Sequence, residues 1–165
     1  MFLIDTCFCS HLKEIYDQEK IDLRSYLFNF PLGITEDLRK ELEHFDLFEF
    51  IPFDKFYLIS YSTSDFSNFQ IDHVIIKNFD LADQGLLFLG KRDNGIILSD
   101  DYDLMVEAST LGLKVLRLPS FCLYLFKENI LPKKIFNQIL HFWDINHLYS
   151  LKELDRIKKE MHNLH

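Results

Sequence analysis

The chain has 165 residues, a length that suits a single domain with a sizeable core. Hydrophobic residues make up 48% of it and 17 residues are phenylalanine, which argues against large-scale disorder and predicts an aromatic-rich core. The formal net charge of −8 argues against a general nucleic-acid coat protein, because phosphate binding needs Lys and Arg. It does not exclude an enzyme that holds nucleic acid locally through metal ions.

The composition also bears on the compartment. The opening MFLIDTCFCSHL lacks a basic region and carries Asp5, so we expect no signal peptide. No apolar run approaches the ~18 residues of a membrane span, and no membrane partner is expected. Cys7 and Cys9 stand too close for an ordinary disulfide, so we expect a reduced, cytoplasmic protein with ordinary thiols. A zinc site of Cys7, Cys9, Cys122 and a histidine stays open, although the usual C-x-x-C spacing is missing.

The amino-terminal half predicts a strand followed by helices. Residues 2–4 form an apolar run typical of a buried strand, and TCFCSHLKEIYDQ has helical spacing with Thr6 as its N-cap. ITEDLRKELEHF predicts another helix, which Thr35 caps and whose apolar stripe includes Ile34. Further along, we expect a strand or irregular segment near 56–61 and a loop near 62–69.

A regular alternation of helices and strands begins near residue 81. The pattern predicts a helix over 81–92, a strand at 96–98, a helix over 101–111 that ends at Gly112, and a strand at 113–118 that stops at Pro119. Short connections between such elements indicate a parallel α/β sheet. Further helices are predicted near 120–128, from Pro132 to about Trp143, and from Ser150, where Ser150 and Glu153 form a capping box.

Acidic residues follow the predicted strands. Asp5 comes directly after residues 2–4, and Asp100 and Asp101 come after 96–98. The carboxyl ends of parallel strands share one edge of the sheet, which is where ligands bind. Asp83 lies in the first turn of one helix and Glu41 lies in another. Carboxylates that meet in one crevice repel one another unless a cation is present, and oxygen ligands suit Mg²⁺ or Mn²⁺.

The order of these motifs resembles the PIN domain, the fold of the VapC-like toxin ribonucleases. The resemblance spans about residues 2–118 and is most specific in LADQGLLFLGKRDNGIILSDDYDL and the LGLKV that follows. It implies a three-layer α/β/α fold with a central parallel sheet, in one domain over 1–165 whose core is 2–118 and whose helical extension is 120–165. The family pattern places its functional residues on Asp5, Glu41, Asp83, Asp101 and Ser99.

Some assignments within this pattern stay open. Glu36 and Glu43 flank Glu41, so the register of the helix acid is open by a turn. Asp100 occupies the variable position between Ser99 and Asp101 and could add a metal ligand.

Each acid also has an ordinary structural interpretation. Asp83 could be the third residue of a helix that Asp80 caps, and Ser99 or Asp100 could cap the helix that follows. Taken singly, Glu41 suits a solvated helix face. Asp5, directly after a buried strand, is the hardest to explain in this way.

The resemblance implies an endoribonuclease that cleaves RNA phosphodiesters with Mg²⁺ or Mn²⁺. Asp5, Asp83 and Asp101 would hold the metal, Glu41 would complete the cluster, and Ser99 would orient a carboxylate or a water. The implied biological role is a toxin held by an antitoxin, as a homodimer. A non-catalytic PIN-fold module that binds nucleic acid or regulates stays open as the alternative. A phosphotransfer protein fits less well, because its acidic pair would come near the first strand.

Overall fold

In a computed structural model, which describes residues 1–163, a parallel sheet of five strands is flanked by helices in a three-layer α/β/α arrangement. The predicted fold class is therefore confirmed. Residues 164–165, the end of the predicted helical extension, lie outside the described residues. Within the described chain no helix is long and apolar enough to cross a membrane.

The strands are short and lie in the order β3-β2-β1-β4-β5. Their bounds are β1 Phe2–Ile4, β2 Leu32–Ile34, β3 Phe56–Leu58, β4 Ile96–Leu98 and β5 Lys114–Leu116. The central pair runs in parallel register, with Phe2 opposite Ile96 and Ile4 opposite Leu98. The residues that follow β1 and β4 therefore leave the sheet side by side.

Helices connect and cover the strands. Their bounds are α1 Thr6–Glu19, α2 Arg24–Leu27, α3 Glu36–His44, α4 Thr63–Asp72, α5 Leu81–Asp93, α6 Tyr102–Thr110, α7 Leu118–Lys127, α8 Lys133–Ile145 and α9 Leu151–His162. Helix α5 is apolar on most sides because it packs against the sheet and against α3 and α4. Aromatic rings fill the core, and Phe2 of β1 meets Phe121 of α7 with 5.6 Å between ring centroids.

Several predicted elements are confirmed closely. Strands β1 and β4 have the predicted bounds, and Thr35 caps α3 by accepting a hydrogen bond from the Leu38 N–H at 3.1 Å. Helices α5 and α6 match their predicted positions to within one residue at each end. These segments combine a continuous apolar pattern with a clear cap or stop signal.

Other predictions in the amino-terminal half are wrong at specific residues. Thr6 is the first helical residue of α1 and Asp5 takes the N-cap position. Ile34 ends strand β2 instead of belonging to the helix stripe. The segment predicted as a loop near 62–69 is mostly helix α4, which buries Phe69 against α5 and its ring neighbours.

The carboxyl-terminal extension is helical, as predicted. Strand β5 ends at Leu116, and Pro119 lies inside the first turn of α7, where a missing N–H costs nothing. Ser150 caps α9 by accepting from the Glu153 N–H at 3.3 Å. The Glu153 carboxylate binds Arg117 rather than turning back to the cap, so only half of the predicted capping box forms.

Candidate metal centre at the carboxyl end of the sheet

Strands β1 and β4 place Asp5 and Ser99 side by side. The Asp5 N–H donates to the Leu98 carbonyl at 3.0 Å, which continues the strand pairing by one residue. Asp5 is 5% exposed and Ser99 is fully buried, and the Ser99 hydroxyl donates to Asp5 Oδ2 at 2.7 Å. The Ser99 hydroxyl therefore holds the Asp5 carboxylate in one orientation.

Asp101 has a structural role as well as a place at this edge. Its carboxylate caps α6 by accepting from the Leu104 N–H at 2.8 Å, and its own N–H donates to Ser99 Oγ at 3.0 Å. The expectation that Ser99 or Asp100 caps this helix is therefore wrong. Because Asp101 closes the turn after β4, its side chain is held on the same side as Asp5.

The acidic side chains surround a cavity of about 250 Å³. Its lining is Asp5, Thr6, Cys7, Ser10, Glu41, Phe45, Asp80, Asp83 and Asp101. Five of these residues are carboxylates, and they come from the end of β1, from α3, from the start of α5 and from the turn before α6. Among the described residues that line the cavity none is basic.

Helix α3 contributes Glu41 to the cavity. The sequence had left open whether Glu36, Glu41 or Glu43 would lie there. Glu36 and Glu43 both bind Arg39 on the exposed surface of the helix. Glu41 alone of these three lines the cavity. The helical period explains the difference, because residues two or five positions from Glu41 point to other faces.

Helix α5 contributes two acids from its first turn. Asp80 accepts a hydrogen bond from the Asp83 N–H at 2.9 Å and so caps the helix, as its ordinary interpretation predicted. Both residues also line the cavity, so the cap and the candidate site share them. Asp80 is a cavity residue that sequence reasoning missed, because a capping role already explained it.

Burial, together with neighbouring negative charge, raises the pKa values of three of these carboxyls. Burial, followed by the charges of Asp5, Asp80, Glu41 and Asp101, raises the pKa of Asp83 to about 8. Burial and then the charges of Asp80 and Asp5 raise the pKa of Glu41 to about 7. Burial raises the pKa of Asp5 to about 6, although the hydrogen bond from Ser99 opposes the shift. Near neutral pH the cavity therefore resists full ionisation unless a cation enters it.

Thr6 adds an unsatisfied polar atom to the cavity. It is 5% exposed, and its Oγ1 has no hydrogen-bond partner among the described residues. It lies close enough to Glu41 to favour the ionised carboxyl there, without the geometry of a hydrogen bond. A buried hydroxyl without a partner costs about 1–3 kcal/mol, so Thr6 lowers the stability of the cavity wall.

Asp100 points away from the cavity, and its position does not support the prediction that it adds a ligand. Its side chain is 1% exposed and forms an ion pair with Arg117, with Oδ1 accepting from Nε at 3.2 Å. Its other oxygen accepts from the Leu118 N–H at 3.2 Å and lies 3.3 Å from His11 Nδ1. These partners lie far from Asp100 in sequence, which is why the spacing did not reveal them.

The donors present suit a hard divalent cation in their chemistry. They are mostly carboxylate and hydroxyl oxygens, and burial with neighbouring negative charge raises the pKa of the Cys7 thiol to about 12, so this thiol is neutral at ordinary pH when no cation is bound. As placed, no three His, Cys, Asp or Glu side chains of residues 1–163 are close enough to hold an ion between them. Mg²⁺ needs only one or two direct carboxylates, because it keeps several waters.

The cysteines do not form the zinc site that the sequence left open. Cys7, Cys9 and Cys122 are free thiols, and burial raises the pKa of both Cys9 and Cys122 above the ordinary range. No cluster of metal-binding side chains includes them in the described part of the chain.

Comparison with models of protein families gives no match, and comparison with curated proteins gives none. The resemblance to PIN domains therefore depends on the residues of this chain alone.

Proposed function

We propose that the protein is a metal-dependent endoribonuclease, which hydrolyses RNA phosphodiester bonds with Mg²⁺ or Mn²⁺ held at the acidic cavity. The observation that carries this proposal is the convergence of five carboxylates on one small cavity whose described lining has no base. The raised pKa values of Asp5, Glu41 and Asp83 measure how poorly the protein itself compensates these charges.

Each residue of the cavity has a proposed role that follows from its position. Asp5, Asp83 and Asp101 would hold the ion directly or through water, and Glu41 would complete the cluster. A bound divalent ion lowers the pKa of a coordinated water and neutralises charge on the phosphoryl oxygens. Ser99 keeps the Asp5 carboxylate in one orientation through its 2.7 Å hydrogen bond. Thr6 lines the same cavity beside Glu41, where it would help to keep that carboxyl ionised.

The alternative of a non-catalytic nucleic-acid-binding module fits this cavity less well. Phosphate groups are repelled by ionised carboxylates, and nucleic-acid binding sites ordinarily carry Lys and Arg. The neighbouring groove adds Asp103 and Glu107 to the acids of the cavity. A surface of this charge accepts a phosphodiester only after cations have bound.

We also propose a biological role, which is based on the resemblance to VapC-like proteins. The protein would be the toxin of a toxin–antitoxin pair, held inactive by an antitoxin and assembled as a homodimer. Light scattering on the purified chain tests the dimer. Growth arrest on expression, relieved by the product of an adjacent reading frame, tests the toxin role.

Cleavage of an end-labelled single-stranded RNA with Mn²⁺ tests the enzyme, and helix α3 offers a matched pair of variants. Glu41→Gln is expected to reduce the rate at least about 100-fold, because it removes a cavity carboxylate. Glu43→Gln alters an exposed acid of the same helix and should leave the rate unchanged. The expected products carry a 5′-phosphate and a 3′-hydroxyl. Absence of cleavage by the wild type, or equal rates for the two variants, would refute the proposal.

A further inference from the structure

Asp100 is buried beside the acidic cavity without lining it, and the proposed catalysis does not use it. We propose that Asp100 is a positioning residue, which clamps the turn of Ser99, Asp100 and Asp101 to the carboxyl-terminal helices and thereby fixes the carboxylates of the cavity. Its effect on catalysis rests on the proposed ribonuclease function. Its effect on the turn does not.

The carboxylate of Asp100 contacts three residues outside its own turn, which belong to two elements. It binds the guanidinium of Arg117 and the N–H of Leu118 at the start of α7, each at 3.2 Å. It also lies 3.3 Å from Nδ1 of His11 on α1. Both oxygens are thus occupied, and the side chain has one orientation.

Arg117 and His11 extend this network to the end of the chain. Arg117 Nη1 donates to Glu153 Oε2 of α9 at 2.6 Å, and its guanidinium lies 4.9 Å from the ring centroid of Tyr149. The Tyr149 hydroxyl lies 3.3 Å from His11 Nδ1. Asp100 is therefore the point at which α1, α7 and α9 meet the turn after β4.

The chain geometry makes this clamp consequential for the cavity. Ser99 and Asp101 are the direct neighbours of Asp100, and they bind Asp5 and cap α6 respectively. Because all three side chains of the turn are anchored, displacement of the middle one shifts both neighbours. The side chain of Asp100 is 1% exposed and that of Arg117 is 30% exposed, so the carboxylate is held in place by contacts within the protein.

Amide hydrogen exchange measured by NMR tests the clamp without metal or RNA. The informative amides are Asp101 N–H, which donates to Ser99, and Leu104 N–H, which donates to Asp101. In Asp100→Ala, and in the near-isosteric Asp100→Asn if the first variant does not fold, both amides should lose at least about tenfold in protection relative to amides of α8. Ile139→Ala, a buried truncation within α8, is the control for global destabilisation and should not single out these two amides. Unchanged relative protection of the two amides in the Asp100 variants overturns the inference.

Steady-state kinetics test the consequence for catalysis. Asp100→Asn is expected to lower kcat about tenfold and to leave KM within about twofold, as happens when a supporting residue misaligns a metal ligand. Asp144→Asn breaks another ion pair of the carboxyl-terminal helices, with Lys158 at 3.1 Å, and should keep wild-type kcat. Wild-type kcat in Asp100→Asn, or an equal loss in Asp144→Asn, overturns the positioning role. A wild type that cleaves nothing defeats the ribonuclease proposal alone, since the amide measurement still decides the clamp.

Discussion

Replacement of Asp5 by asparagine should stabilise the metal-free protein above neutral pH and at the same time abolish its response to Mn²⁺. The carboxyl is almost fully buried, and asparagine has nearly the same shape. The amide oxygen can still accept the hydrogen bond that Ser99 donates to Asp5 Oδ2. The main change is therefore the loss of one negative charge from the cavity.

The magnitude follows from the pKa of Asp5, which burial raises from 3.8 to about 6. Because the folded protein binds this proton more tightly than the unfolded chain, its stability falls as the pH rises from below 4 to above 6, and the loss persists at higher pH. Two pKa units correspond to about 3 kcal/mol. That value already includes the Ser99 hydrogen bond, which favours the charged carboxyl. A gain of about 3 kcal/mol raises the melting temperature by roughly 6–12 °C.

Thermal unfolding of wild type and Asp5→Asn, in EDTA at pH 4 and pH 8, measures this difference. The variant should melt higher at pH 8, and the difference should be much smaller at pH 4, where the carboxyl of Asp5 is protonated in the folded protein and about half protonated in the unfolded chain. With Mn²⁺ at 100 times its dissociation constant, the wild type should gain about 2.7 kcal/mol and the variant much less. The Asp5 charge also raises the pKa of Asp83 and Glu41, so its removal acts on them in the same direction.

Asp22 provides a control of opposite sign. Its hydrogen bond with Arg24 lowers its pKa, so Asp22→Asn should destabilise the protein at pH 8 and have less effect as the pH falls through the acid range. The reasoning about the cavity is refuted if Asp5→Asn melts below the wild type at pH 8 in EDTA. It is refuted equally if Mn²⁺ stabilises both proteins to the same extent.

Three further expectations concern neighbouring residues. Thr6→Val should keep or raise the melting temperature, because it removes a buried hydroxyl without a partner among the described residues, and it should slow Mn²⁺-dependent cleavage, whereas Thr6→Ser should not. In urea denaturation, Asp101→Ala should lower the free energy of unfolding by about 1 kcal/mol, because it removes the α6 cap, whereas Asp101→Asn keeps the cap. Both variants should lose the cleavage activity. The Cys7 thiol, with its pKa near 12, should react with iodoacetamide at pH 8 far more slowly than glutathione does, and comparable rates would contradict its environment.

A strand could be predicted where its own residues carry the signal, and it was missed where neighbours distant in sequence decide its form. Strands β1 and β4 are continuous apolar runs that stop at polar residues, so a sequence pattern suffices. Strand β2 is only Leu32–Ile34 and contains Gly33, which weakens any strand signal. A Cβ there would lie 2.5 Å from Ile59 Cδ1 and 3.1 Å from Leu3 Cδ2, so those side chains would have to shift, and they are known only from the fold.

Helix α4 was missed for a related reason. Its sequence TSDFSNFQID is rich in serine and polar residues, and Phe69 is its one buried residue, so it offers little apolar periodicity. Its helical form depends on tertiary packing, in which Phe69 lies 5.4 Å from the Phe88 ring of α5. Such packing commonly overrides weak local propensity.

The acids of the site were predictable to the extent that topology determined them. Asp5, Glu41, Asp83 and Asp101 all line the cavity, because parallel strands end at one edge and helices start there. The choice between Asp100 and Asp101 as cap was not predictable. Either residue can cap a helix, and the decision lies with Arg117, which is brought near only by the fold.

The protein buries negative charge in two different ways at this edge of the sheet, one at Asp100 and the other at the carboxylates of the cavity. Asp100 is compensated by the protein itself, through Arg117 and the Leu118 N–H at the start of α7. Asp5, Glu41 and Asp83 lie at a cavity whose described lining holds no base, and their pKa values rise accordingly. The sequence contains 18 Lys and Arg residues, and one of them, Arg117, pairs with Asp100, which is the direct neighbour of the cavity residue Asp101. The described lining of the cavity has no Lys or Arg side chain, and this lack costs stability that a bound divalent ion would restore. This is the physical reason for proposing that the cation comes from solution.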